Sequence, residues 1–556
     1  MLPHVRKPGP LAGVVKFVAV SCLGIAPCMA AEPPERGKAP IAPAQVTPPT
    51  AVISVPSSNL PPAAPGGARV VVRTLQIKGN TRFLASLLLA KTGWVANQEL
   101  DLAGLQQLAL NIQDYYHQQG FFLTRAYLPP QHNTEGNVTI EVLEAHYGKV
   151  VVTNPQRLAA WQVAYLTAGL KAGDTPQLPP LESAILRLND VPGLAVKSTI
   201  APGASTGLAD LTLVVGEGKN WSGNVYFDIN GSRATGRERL GAGVVGSNLG
   251  GWGDQLSLRA LSSFQGLNNG RIAYQVPLNA VTLGVAYSIT DYSLGREFAN
   301  LRANGTAKDL TVSVSSALKR SRQSNLYLQI TADDKKLRDR VDSTNSATDK
   351  SNTLLAVGVN GDRYDDIAGR GLNTFNLNWS SGNLRIDSLA ARQQDAASVR
   401  TAGHFNKITY GVSRLHSLSA STSLSASFNG QWADKNLDSS EKMVLGGPAG
   451  VRAYGQDDGS GDIGNLITLE LRHNLPENKA IPGIIQLSGF LDYGQSQANK
   501  EILDTRRRSY SGIGLGVQWL RASDFSLKLD IAFKLGSEKS ADDRNGRIWL
   551  QGAKYF

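Results

Sequence analysis

From residue 219 to the end, the chain is written in period two. Near its start, Val225, Phe227 and Ile229 alternate with Asn224, Tyr226 and Asp228. Further on, Ile467, Leu469 and Leu471 alternate with Thr468, Glu470 and Arg472. The clearest run sets Phe525, Leu527, Leu529, Ile531, Phe533 and Leu535 against Ser526, Lys528, Asp530, Ala532 and Lys534. Side chains along a strand point to opposite faces in turn, so each segment has one apolar and one polar face. The segments run to about ten residues between turn-rich stretches, the length a tilted strand needs to cross a bilayer. After the N-terminal region no stretch is apolar for 18 residues, which excludes a later transmembrane helix. A chain that crosses lipid without helices must close its sheet, because an open edge leaves backbone groups unsatisfied there. Residues 219–556 are therefore predicted to form a transmembrane antiparallel β-barrel, apolar faces to lipid and polar faces to the lumen. A soluble sandwich also alternates, but buries its apolar face.

The preceding 150 residues follow a mixed pattern. Between 69 and 146, Val70–Ile77 reads as a strand closed by Gly79-Asn80. Asp101 is placed to cap a helix in which Leu105, Leu108, Ala109 and Ile112 recur at helical spacing until Gly120. Phe121–Leu128 and Val138–Val142 read as strands, and 83–94 has room for a second helix. Residues 147–217 repeat the plan: strand at Lys149–Thr153, helices at Leu158–Leu166 and Leu181–Leu188, strands at Leu194–Ile200 and Leu208–Val215. Two tandem α+β domains fit this order better than a solenoid.

Composition adds compartment. Arg6 and Lys7, the mostly apolar run 11–27 and Cys28-Met29-Ala30 read as an export signal over residues 1–30. Both cysteines, Cys22 and Cys28, lie inside it. The mature chain would hold together without disulfides, as large barrels do. Residues 31–68, rich in Pro, Ala, Ser and Thr, read as an extended linker. The net charge of +11 comes from scattered Lys and Arg. That distribution suits a solvated surface or polar lumen and gives no reason to invoke nucleic acid.

One loop stands out: Leu445-Gly446-Gly447-Pro448-Ala449-Gly450-Val451-Arg452-Ala453-Tyr454, followed by Gly461-Asp462-x-Gly464, Glu470-Leu471-Arg472 and Phe490-Leu491-Asp492-Tyr493-Gly494. Earlier come Gly120–Gln131, Leu188–Gly193, and Asn248-Leu249-Gly250 leading to Gly253-Asp254-Gln255-Leu256. With these motifs in this order, residues 69–556 resemble the outer-membrane transporters of two-partner secretion, the haemolysin secretion/activation (TpsB) family. The resemblance implies periplasmic α+β POTRA domains (69–146 and 147–217) followed by a transmembrane antiparallel β-barrel (219–556) of about 16 strands; at about 21 residues per strand and connection, the length suffices. It implies that the loop near 445–464 folds into the lumen and that Arg452 meets Asp492. It also implies an unfolded, adhesin- or haemolysin-like exoprotein as partner, together with outer-membrane lipid and the barrel assembly machinery, in a monomeric pore. A barrel assembly factor is the alternative; it shares the POTRA domains and arginine loop, but with more POTRA copies.

Period two supports that pairing independently of the family. Along 485–494, Ile485, Leu487, Leu491 and Tyr493 share the lipid-type face, which puts Gln486, Ser488, Phe490 and Asp492 in the lumen. Gly446 and Gly447 would let the loop turn and approach the wall. Val451, Arg452 and Tyr454 form its tip motif, and Phe490, Asp492 and Gly494 the wall motif. Phe556, an aromatic terminus on an amphipathic last strand, is read as a barrel-insertion signal.

Catalysis and metals find no footing. Asp458-x-Ser460-x-Asp462 resembles a calcium loop, but Ile463 stands where its turn glycine belongs and Leu469 where its bidentate Glu belongs. Gly203-Ala204-Ser205-Thr206-Gly207 matches a nucleophile motif, yet lies between two predicted strands rather than at a strand-to-helix elbow. His117 and His146 read as structural or exposed. No enzyme activity, metal or cofactor is expected.

Overall fold

The computed structural model describes residues 53–54, 66–131, 135–154, 157–499, 507–540, 542 and 544–556. The export signal and nearly all of the linker lie outside the described residues.

In the first N-terminal unit, Asn137–Leu143 is the central strand, parallel to Thr74–Lys78 and antiparallel to Arg125–Tyr127. Helices α1 (Ala85–Thr92) and α2 (Leu102–Gln118) complete it. Leu75, Leu88, Leu108, Ile112, Tyr116, Val138 and Ile140 form its core. The Asp101 carboxylate accepts from Gly104 N at 2.8 Å, capping α2. Two expected strands are cut short. Val70–Ile77 breaks at Arg73, where Gly136 O accepts from both Arg73 N and Thr74 N. Val70–Val72 instead pairs with Gln98–Leu100 in a separate ribbon. Of Phe121–Leu128, only Arg125–Tyr127 is strand; a turn closed by Thr124 N to Phe121 O sends the Phe121 ring against Phe83 and Tyr116. Burial of an aromatic ring outweighed strand propensity there.

The second unit orders its strands as Leu194–Pro202, Leu208–Glu217, His146–Thr153. It carries α3 (Ala160–Leu166) and α4 (Leu178–Asp190). Leu181, Ile185, Leu188, Leu211 and Leu213 fill its core. The Gly203–Gly207 segment is a hairpin turn, with Gly203 N donating to Leu208 O at 2.9 Å. Ile53 and Ser54 pair in parallel with Ser198 and Thr199 along the outer edge of this sheet.

The barrel is closed and contains sixteen strands. They are β1 (Trp221–Asp228), β2 (Arg239–Ser247), β3 (Gln255–Ser262), β4 (Leu267–Leu278), β5 (Val281–Ser293), β6 (Ala303–Arg320), β7 (Ser324–Val341) and β8 (Ser346–Asp365). There follow β9 (Gly371–Ile386), β10 (Gly403–Ser417), β11 (Thr422–Ala433), β12 (Ile463–Asn474), β13 (Ile484–Gln497), β14 (Arg507–Arg521), β15 (Phe525–Lys534) and β16 (Gly546–Tyr555). Each pairs antiparallel with its neighbour in the chain, and β16 closes on β1, so no edge is left in lipid. Leu487, Leu491 and Tyr493 are exposed on the outer face, while Gln486, Phe490 and Asp492 are buried inside. Among the described residues of the barrel region, one α-helix interrupts the β texture: α5 (Leu389–Ala397), in the connection after β9, capped by Ser388 accepting from Ala391 N. Nine residues rich in alanine favour a helix by propensity but are too short to show a periodic pattern.

The second unit is bolted to the near end of the barrel. Asp190, at the end of α4, receives Arg320 Nε at 2.6 Å and Nη2 at 3.0 Å. Glu182 pairs with Arg322 at 3.2 Å. Gln162 Nε2 donates to Trp252 O and Pro277 O, both at 2.8 Å. A Cβ on Gly253 would stand 2.3 Å from Val191 Cγ1, so the turn before β3 must be glycine to let α4's exit pack there. The Leu188–Gly193 and Asn248–Asp254 motifs, far apart in sequence, are two sides of this joint.

Glu144 is the polar keystone of the first unit. Its carboxylate accepts from Thr81 N and Arg82 N, both at 2.9 Å, from Tyr116 OH at 2.7 Å, and from Thr81 Oγ1. Burial acts to raise its pKa, but these donors together hold it below the usual glutamate range. A depressed folded pKa stabilises above the ordinary glutamate value, and the benefit is lost as pH falls through the folded one. Glu144→Gln is therefore expected to destabilise the N-terminal unit by about 1–3 kcal/mol at neutral pH, measured as a lower urea midpoint of its unfolding transition. The difference should vanish in acid, and a pH-independent difference would contradict this.

Candidate functional site in the barrel lumen

The site is built on the connection between β11 and β12, residues 434–462. Its stem is a short hairpin, Met443–Val444 against Ser460–Gly461. Its tip folds tightly on itself: Val451 N donates to Leu445 O at 2.6 Å, and Gly447 N to Tyr454 O at 3.0 Å. That compaction needs glycine. A Cβ on Gly446 would lie 1.9 Å from Gly455 O, and Gly447 has φ +103°. Leu445, Val451, Ala453 and Tyr454 then pack with Leu466, Phe490, Tyr510 and Ala532 of the wall, giving the loop an apolar core inside the barrel.

Into this core goes one guanidinium. Arg452 Nε and Nη2 donate to the two oxygens of Asp492, each at 2.9 Å, and Arg452 N donates to Asp492 Oδ2 at 3.1 Å. Its Nη1 reaches Glu470 Oε2 at 2.8 Å and lies 3.7 Å from Asp530 Oδ2. Its Cζ lies 3.2 Å from the Phe490 ring centroid. Its carbonyl accepts from Trp549 Nε1 at 2.7 Å. The three carboxylates come from β12, β13 and β15. Arg472 donates to Glu470 at 2.8 Å and Lys528 pairs with Asp530 at 3.0 Å, so cations and carboxylates balance. Each position of the wall motif has a physical task. Phe490 stacks on the cation, Asp492 takes it in a fork, and Gly494 leaves room for Val451, whose Cγ2 would lie 3.0 Å from a Cβ there.

Glu470, Asp530 and Trp549 as ligands of Arg452 are not legible in the sequence. Glu470 and Asp530 do sit on the polar faces of the alternating segments, but period two marks a face and not a depth. The acidic residues of the loop's return arm have protein partners. Asp457 accepts from Ser232 Oγ at 2.9 Å, Asp458 from Gly455 N at 2.8 Å, and Asp462 from Leu437 N at 2.9 Å. Among the described residues no group of His, Cys, Asp and Glu could hold a metal ion. His117 Nε2 contacts Thr124 O at 3.0 Å, and His146 begins a strand. Phe556 exchanges both backbone hydrogen bonds with Gly223 at 3.0 Å, extending the seam between β16 and β1 by one pair.

A closed sixteen-stranded antiparallel barrel with N-terminal POTRA domains defines an outer-membrane transporter. The chain belongs to the haemolysin secretion/activation protein family (ShlB/FhaC/HecB), whose model matches residues 207–519, with a ShlB-type POTRA domain matched at 70–145. It is 29% identical over 468 residues to the heme/hemopexin transporter protein HuxB of Haemophilus influenzae, covering 83% of this chain and 82% of that protein. It is 24% identical over 399 residues to the outer membrane transporter CdiB of Dickeya dadantii, covering 67% of each. Among solved structures, CdiB from Escherichia coli shares the fold, with a TM-score of 0.67, 20% identity, and coverage of 93% of this chain and 94% of that one. The chain is thus an outer-membrane pore of two-partner secretion, with its POTRA domains in the periplasm and the far end of the barrel outside.

Removing Arg452 leaves three carboxylates short of a cation in a partly dry site. Arg452→Ala is expected to destabilise the seated loop by about 3–5 kcal/mol, the usual cost of an orphaned buried charge. Arg452→Lys should recover only part, because an ammonium cannot make the fork. Protease cleavage within 445–462 in the folded barrel measures it. Equal resistance of wild type and Arg452→Ala would contradict the assignment.

Proposed function

We propose that the POTRA domains capture the secreted partner as an extended, unfolded chain and hand it to the barrel, which passes it outward without nucleotide hydrolysis. The supporting observation is the buried Arg452–Asp492 fork, which keeps a loop inside a closed barrel whose mouth carries two edge-bearing sheets. Arg125–Tyr127 ends the sheet of the first domain. A partner strand can add to such an edge through main-chain hydrogen bonds, which read extended backbone rather than sequence. The second sheet is already extended at one side by Ile53 and Ser54, which leaves His146–Thr153 as its other edge.

In this reading the protein does no covalent chemistry. The exported chain folds outside, and that folding makes passage irreversible. The Arg452 anchor holds Gly446, Gly447, Val451 and Tyr454 against Phe490, Asp492 and Gly494, setting the shape of the conduit during transport. Phe556 serves insertion by the assembly machinery, and the pore works as a monomer in lipid. The ShlB type of the matched POTRA domain favours export over barrel assembly.

Secretion assays test both halves. Deleting 69–217 is expected to leave an inserted, heat-modifiable barrel that exports nothing. Arg452→Ala is expected to insert normally and reduce secretion at least about tenfold, the factor that 1.4 kcal/mol represents. Continued export by the deletion would sink the capture role, and wild-type export by Arg452→Ala would sink the anchor role.

A further inference from the structure

The loop has a second electrostatic attachment, on another part of the wall. Before it reaches the glycines, it passes Asp438 and Glu441, both buried. Glu441 receives Lys335 Nζ at 2.7 Å, Lys407 Nζ at 2.5 Å and Asn352 Nδ2 at 3.0 Å. Asp438 receives Lys350 Nζ at 2.8 Å, and Lys350 also lies 3.3 Å from Asp339. The register pairs Lys335 with Asn352 and Leu337 with Lys350, so Lys335, Asn352 and Lys350 share one inward face. These cations stand on β7, β8 and β10, whereas Arg452 is held by β12, β13 and β15. The loop therefore lies between two anchors on different sectors of the wall.

The charge balance at the second anchor depends on the loop. With it seated, Lys335, Lys350 and Lys407 meet Glu441, Asp438 and Asp339. With the arm 434–442 withdrawn, Lys350 keeps Asp339, and Lys335 keeps Asp309, opposite it on β6, and Asp333 of its own strand, whereas Lys407 loses the carboxylate it meets. The loop's exit thus removes two carboxylates from the three lysines and leaves ammonium donors, Lys407 above all, to be met by a passing anion in a confined lumen. The Arg452 anchor is different in kind. Its cation is on the loop and its carboxylates on the wall, so withdrawal there would leave a negative wall.

We propose that Lys335, Lys350 and Lys407 form a carboxylate-binding site in the lumen. In the idle pore it is filled by Glu441 and Asp438 of the protein's own loop; during export it is taken over by acidic side chains of the passing polypeptide. The inference rests on the reading of the barrel as the export conduit. The loop arm is then an internal competitor that closes the pore until an acidic stretch displaces it, while the Arg452 anchor stays in place.

The test uses the full chain in planar bilayers and needs no partner protein, so its outcome is separate from that of the secretion assays. Glu441→Gln/Asp438→Asn keeps the shape of both side chains and removes their charge. Heat-modifiable migration confirms that each variant is folded. The neutralised loop is expected to raise mean conductance several-fold. Polyglutamate should then interrupt the current, with an effect that fades at high salt. A glycine–serine peptide of equal length should not. Adding Lys335→Gln, Lys350→Gln and Lys407→Gln should abolish the interruption. Lys407→Gln alone, the milder variant, should weaken it. Wild-type conductance from the neutralised loop, or undiminished interruption without the lysines, would overturn the proposal.

Discussion

The structure turns on a constraint of buried charge. Asp492, Glu470 and Asp530 point into a part of the lumen that is closed over by apolar side chains, where a carboxylate without a counter-ion is costly. The wall cannot answer that need alone: Arg472 and Lys528 serve Glu470 and Asp530 from the side, but neither makes the fork on Asp492. Arg452 makes it, from a loop that must fold inward to do so. A planar, permanently charged guanidinium suits a forked bond to Asp492, a bond to Glu470, a nearby Asp530 and an aromatic ring at once, which an ammonium would not.

Other features follow from bringing that arginine in. The loop must be compact enough to fit within the lumen, hence Gly446 and Gly450, whose added Cβ atoms would collide with its own backbone. It must approach the wall closely, hence Gly494 under Val451. Its tip also ties the two ends of the barrel sheet. Trp549 on the last strand donates to Arg452 O, and Ser232, just after the first strand, donates to Asp457. At the opposite mouth the second POTRA domain is held by the Asp190–Arg320 fork and by Gln162, so the periplasmic domain and barrel meet through polar bonds to turns rather than through a large apolar face. Such joints leave room for relative motion.

Much of this could be read from the chain, and the parts that could not have a common cause. Strand alternation marked which side of β13 faces inward, because period two is imposed by backbone geometry and needs no knowledge of neighbours. It therefore separated Asp492 and Phe490 from Leu491 and Tyr493. It could not rank the inward carboxylates. Glu470 and Asp530 became ligands of Arg452 through barrel closure and shear, which set the heights of strands far apart in sequence. The same holds for Lys335, Lys350 and Lys407, three unremarkable lysines until the sheet curves them toward Glu441. In the first POTRA domain the error was local. Val70–Ile77 and Phe121–Leu128 look like single strands by propensity, and only tertiary contacts, Gly136 O and the Phe83–Tyr116 aromatic cluster, cut them.

The glycine-rich tip sits against β13 inside the barrel and is expected to remain there while the pore works. The most direct measurement is a cross-link. Val451 Cγ2 lies 3.0 Å from where a Cβ on Gly494 would stand, which places a sulfur at 451 within reach of one at 494. The chain's two cysteines, Cys22 and Cys28, lie far outside the barrel sequence. In cells, Val451→Cys with Gly494→Cys should oxidise spontaneously at the oxidising surface, and the locked protein should still secrete its partner. Two free thiols that a membrane-impermeant maleimide labels from outside would contradict the position of the loop. Secretion abolished by oxidation and restored by reduction would contradict its fixity.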